Sequence, residues 1–60
     1  MKQIVKYIWG LNFEMATCLV NKVTQEMNKD GYKLTFATSQ CLHNEPWEAT
    51  IFLVVFTKEE

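Results

Sequence analysis

Ile51-Phe52-Leu53-Val54-Val55-Phe56 is the longest apolar run in this 60-residue chain, and both of its alternating sets of positions are hydrophobic. Successive side chains of a strand point to opposite faces, so a strand written this way needs cover on both. One helix can cover only one face of a sheet. The other face is therefore expected to meet a second copy of the chain or a partner.

Working outward from that run, residues 47 to 57 read as a strand, followed by the charged tail Lys58-Glu59-Glu60, expected to be frayed and solvated. Before it, Gln40-Cys41-Leu42-His43-Asn44-Glu45-Pro46 reads as a polar connection, and Tyr32 to Ser39 alternates Tyr, Leu and Phe with Lys, Thr and Ala as a half-buried strand does. Further upstream, Phe13, Ala16, Leu19, Val20, Val23 and Met27 recur at spacings of three and four, which predicts a helix from Phe13 to Asp30. Asn12 offers its N-cap and Glu14 suits the positive end of its dipole. Lys29 lies in the last turn, and Gly31 is placed for the left-handed residue that stops it. Residues 2 to 9 form a first strand, turning at Gly10.

The order strand, helix, strand, strand gives an α+β fold, β-α-β-β, with residues 1 to 60 forming one domain. If the helix carries the chain back across one sheet face, the first two strands run the same way and the third runs opposite. Placing the third strand in the middle, order 1-3-2, makes every pair antiparallel and keeps Ile51 to Phe56 off an aggregation-prone edge. For the faces, Val5 and Tyr7 are expected to meet the helix together with Leu34, Phe36, Ile51, Leu53 and Val55. Ile4, Ile8, Phe52, Val54 and Phe56 are then expected to line the outer face and form an oligomer interface.

A 60-residue domain buries roughly 60% of the surface of its unfolded chain, so its core alone gives marginal stability and oligomerisation is a usual remedy. The hydrophobic fraction of 48% argues against disorder. Six Lys and no Arg against seven acidic residues leave nucleic-acid binding without its electrostatic term. No run approaches the roughly 20 apolar residues of a membrane span. Met1-Lys2-Gln3-Ile4-Val5-Lys6 is unlike a signal peptide, and two cysteines, Cys18 and Cys41, make no disulfide framework; a cytoplasmic protein with free thiols is expected.

Chemistry-bearing motifs are few. Cys41-Leu42-His43 with Glu45 and the distant Cys18 lacks the paired spacing of a zinc site, so no metal is expected. Nothing near Cys41 and His43 identifies an orienting group or an oxyanion donor. With only Gly10 and Gly31 there is no phosphate cradle. Met15 and Met27 read as core filling. No catalytic residue and no cofactor are assigned.

Tyr32-Lys33-Leu34-Thr35-Phe36-Ala37-Thr38-Ser39, following a helix and leading to an apolar final strand, resembles the small sigma-E-controlled sporulation proteins and their phage relatives, in which a strand ending Phe-Ser-Thr-Ser recurs. Ala37 and the Cys-Leu-His segment depart from that pattern. The resemblance implies a β-α-β-β domain of bacterial or phage origin and carries no activity with it.

Two functions fit these readings. The first is a non-enzymatic interaction module, a homo-oligomer and most simply a dimer, that binds another protein, as a phage or sporulation regulator would. The alternative is a small-ligand, nucleotide-type binding or sequestering protein with its pocket between subunits. The candidate ligand or partner contacts are Lys6, Lys33, Thr35, Ser39 and Trp47.

Overall fold

The computed structural model describes residues 1–44 and 47–59. It shows an α+β fold: strand β1 (Lys2–Gly10), helix α1 (Phe13–Lys29), strand β2 (Lys33–Asn44) and strand β3 (Trp47–Lys58). The three strands make one antiparallel sheet in the order β1-β3-β2, with the most apolar strand in the middle and α1 against all three. The order expected from strand direction holds.

The helix is delimited by local chemistry. Asn12 is extended, at φ −148°, and its Oδ1 accepts the Met15 backbone N–H at 2.8 Å, while Glu14 lies in the first turn. At the other end Gly31 takes φ 86°, its N–H donates to the Asn28 carbonyl, and the Tyr32 N–H donates to the Met27 carbonyl. Those two bonds are a Schellman closure, which uses up carbonyls that the last turn leaves free. Tyr32 and Met27 then both pack into the core.

The two sheet faces are exchanged relative to expectation. The core consists of Ile8, Val20, Met27, Val54 and Phe56, with Ile4, Val23, Tyr32 and Phe52 packed against it. Val54 and Phe56 are 0% exposed, so the residues expected on the outer face are the ones under the helix. The cause lies at Gly10. A Cβ there would stand 2.6 Å from the backbone nitrogen of Ala16, which means that the first turns of α1 cross the end of β1 where only a glycine leaves room. Gly10 must therefore point at the helix. Counting back by twos along β1 turns Ile8, Lys6 and Ile4 the same way, and puts Val5, Tyr7 and Trp9 on the open side.

β2 departs in a second respect. Leu34 pairs with Phe56, but Phe36 pairs with Val55, so a bulge at Thr35 switches the alternation. Phe36 belongs to the open face and Ala37, Ser39 and Cys41 to the helix side. The Thr35 hydroxyl lies 2.9 Å from the Thr57 Oγ1 of the hairpin partner strand and donates to the Val55 carbonyl at 3.3 Å.

The connection expected over 40 to 46 is mostly strand: β2 continues through Asn44, and the pairs Leu42–Ala49, His43–Glu48 and Asn44–Trp47 lie beyond the last pair of β1 with β3, Gly10–Thr50. A two-stranded ribbon needs no apolar alternation, because it has no helix to cover, so its polar sequence hid it. Its end, Glu45 and Pro46, lies outside the described residues. Lys58, expected in the frayed tail, closes β3, pairs with Lys2 and holds its Nζ 5.6 Å from the Tyr32 ring centroid. Among the described residues no helix is long and apolar enough to cross a membrane.

Three outcomes follow from this packing. Gly10→Ala should lose about 1–3 kcal/mol, the range for overpacking, seen as a lower urea midpoint. Val54→Lys places an unpaired ammonium in the core and should cost about 4 kcal/mol or more, abolishing the folded circular dichroism spectrum. The hydroxyl of the buried Thr50 lies 3.7 Å from the Cys41 Sγ; Cys41→Ser should stay within about 0.5 kcal/mol of the parent, whereas Cys41→Ala strands the hydroxyl and should cost about 1 kcal/mol in the same titration.

Candidate interaction surface

The open face is built in rows across the sheet by cross-strand pairing. Val5, Val55 and Phe36 form one row; Tyr7, Leu53 and Thr38 the next; Trp9, Ile51 and Gln40 a third; Ala49 and Leu42 continue onto the ribbon. Tyr7 is 75% exposed, Trp9 63%, Val5 57% and Phe36 54%. Ile51, Leu53 and Val55 are half-buried between them. None of these eleven residues carries a charge, a thiol or an imidazole. A side chain of aromatic size offers roughly 150–250 Å², so at these exposures the apolar members present on the order of 600 Å² per chain. That is the upper end of the largest apolar patch on an ordinary monomer.

The sequence-derived interface candidates lie elsewhere. Ile8, Val54 and Phe56 are buried and Ile4 and Phe52 are half-buried under α1, where Phe52 also meets the Phe13 ring at 5.7 Å between centroids. These residues hold the monomer together and are not available on the open face. The positions that sequence reading assigned to the core, Val5, Tyr7, Phe36, Ile51, Leu53 and Val55, form the exposed surface, and Trp9 joins them. The parity of Gly10 was the available signal: it shares the even set with Ile4 and Ile8.

The five candidate contacts do not form one site. Lys33 and Thr35 share a polar depression of about 240 Å³ with Gly31, Thr57 and Glu59, at one end of the sheet. Lys6 is on β1, the opposite edge strand, where it pairs with Val54 on the helix side. Ser39 is on the helix side by register, between Thr38 and Gln40, and borders a second depression of about 340 Å³ in the middle of the open face that those two residues line with Tyr7, Ile51 and Leu53. Trp47 belongs to β3 at the far end of the ribbon, and its side chain lies outside the described residues.

The cysteines are apart in the fold. Cys18 is exposed on α1 and Cys41 is exposed on β2. The side chain of His43, with Glu45, lies outside the described residues; among those described, no three His, Cys, Asp or Glu side chains are grouped to hold a metal ion. The helix also carries a smaller apolar patch on its solvent side. Met15, Cys18 and Leu19 line a depression there between Glu14 and Lys22. Leu19, expected in the buried stripe, is 40% exposed on this side, because the stripe that meets the sheet narrows to Ala16, Val20, Val23 and Met27.

Comparison of the chain with protein-family models finds no match, and no curated protein and no solved structure is similar to it, so the resemblance carried by Phe36-Ala37-Thr38-Ser39 rests on the sequence alone.

Proposed function

We infer that this protein is a non-enzymatic interaction module that works as a homo-oligomer, in its simplest form a dimer, joined through the open sheet face. The observation that carries this reading is a continuous, aromatic-rich surface, uncharged in its rows from Val5 to Leu42 with Lys33 only in the end row beside Gln3 and Thr57, in a chain too short to leave it bare without cost. Two copies face to face would bury on the order of 1,200 Å², which reaches the lower bound of stable specific interfaces. Absence of charge matters as much as area. In a self-complementary interface the residues near the two-fold axis meet their own copies, and like charges there would be buried together.

Such an assembly leaves the helix side free for another protein, with Met15, Cys18 and Leu19 exposed between charges of both signs. A regulator built this way acts by occupying a surface of its target, which needs no reactive group. Recognition of a nucleotide is less well supported: Lys33 and Thr35 sit beside the Glu59 carboxylate, and a phosphate placed there would meet one cation and one like charge.

Leu53→Lys tests the assembly. Its side chain is on the open face, so the variant should keep the circular dichroism of the parent and sediment as a 7.1 kDa monomer, while the parent sediments as a dimer or larger at micromolar concentration. A monomeric parent under those conditions would overturn the reading. Thermal shifts with a nucleotide panel address the other function, since a ligand at 100 times its Kd adds about 2.7 kcal/mol; no shift is expected.

A further inference from the structure

The open face is not flat. Its β1 side carries the tall side chains Tyr7 and Trp9, and in the same two rows its β2 side carries the shorter Thr38 and Gln40. Between them the 340 Å³ depression opens over Ile51 and Leu53. A ridge on one edge and a trough on the other make the fit to a second copy depend on the direction of the two-fold axis. An axis lying across the strands sets β1 on the partner's β1, ridge on ridge, with trough above trough. An axis lying along β3 sets β1 over the partner's β2 and keeps every row opposite its own counterpart.

The geometry points to the second arrangement: resting on the assembly inferred above, it is a dimer whose two-fold axis runs along β3 and in which the partner's Tyr7 seats in the depression beside Thr38. The contact is reciprocal, as a two-fold axis requires, so each trough receives the other chain's ridge. Trp9 then lies opposite the partner's Gln40 and Val5 opposite the partner's Phe36. The polar atoms are matched as well as the shapes. A buried phenol or indole needs a hydrogen-bond partner, and a Thr hydroxyl and a Gln amide can each donate or accept. Crosswise packing would instead press aromatic against aromatic on one side and leave Thr38 and Gln40 over a void. The two sheets would stack about 10 Å apart with strands within about 30° of each other, the aligned sandwich geometry. Both β2–β3 ribbons would leave the dimer at the same end.

Cross-linking decides the orientation. Ala49 is on the central strand, close to an axis along β3, so Ala49→Cys in a Cys18→Ser, Cys41→Ser background should be joined to its own copy by a short bis-maleimide. With an axis crossing the strands at Leu53, residue 49 would lie over residue 57 of the partner, roughly 26 Å from its own copy at about 3.3 Å per residue. Filling the trough gives a second readout. Thr38→Trp adds apolar surface, yet should weaken association about tenfold or more by sedimentation equilibrium, because it occupies the seat of the partner's Tyr7. Gln40→Trp serves the same purpose if Thr38→Trp does not fold. A dimeric parent in which Ala49→Cys is not linked, or in which the trough-filling variant associates as tightly as the parent or more so, overturns this orientation and leaves the assembly itself standing; a monomeric parent overturns both.

Discussion

The structure depends on how closely α1 can approach the end of β1. Gly10 and the Ala16 backbone are in contact at a distance that no other residue type at position 10 would permit, and Ala16 itself is 0% exposed. Because that approach selects which side of β1 faces the helix, it also selects which side of β3 does, through antiparallel pairing. Ile8 stands beside Phe52, and Ile4 beside Phe56. A chain of this length has one helix to spend, so choosing the covered face of the sheet chooses the uncovered one.

The choice has a chemical logic. The helix presents a narrow stripe centred on Ala16, Val20 and Met27, and aliphatic side chains with Phe fill most of the space above Val54 and Phe56, with the Tyr32 ring at its edge. Tyr7 and Trp9 each carry a donor that a dry helix–sheet interface would strand. On the open face those donors can be met by water in the monomer, or by a hydroxyl or an amide across an interface. The same side chains that suit the core poorly suit an interface well, being large and rigid with one polar point. Marginal burial in the monomer and an aromatic open face are thus two aspects of one distribution of residues.

The bulge at Thr35 adds Phe36 to that face. Without it, strict alternation from Leu34 would put Phe36 under the helix and Ala37 outside, and the row of Val5 and Val55 would lack its third apolar member. The Thr35 hydroxyl beside Thr57 satisfies a polar group at the irregularity. Past the last pair of β1, the hairpin runs on alone as a ribbon, which accounts for dimensions of 45 × 16 × 10 Å in so short a chain.

The four elements and their order, though not the extension of β2 through Asn44, were legible in the residues themselves because their causes are local. Asn12 and Gly31 bracket a helix through hydrogen bonds within a few residues, and the doubly apolar Ile51 to Phe56 could occupy only the middle of a three-stranded sheet. That one sheet face must remain open also followed from the sequence, since it is a matter of counting helices against faces. Which face it is did not follow. Two apolar sets along β3 differ little in hydrophobicity, and alternation is blind to a shift of one residue. The decision came from a contact between residues six apart on different elements, Gly10 and Ala16, and from a bulge that reversed half of β2. Both are properties of three-dimensional packing, in which a missing Cβ at one position outweighs the preferences of all the side chains that alternate with it.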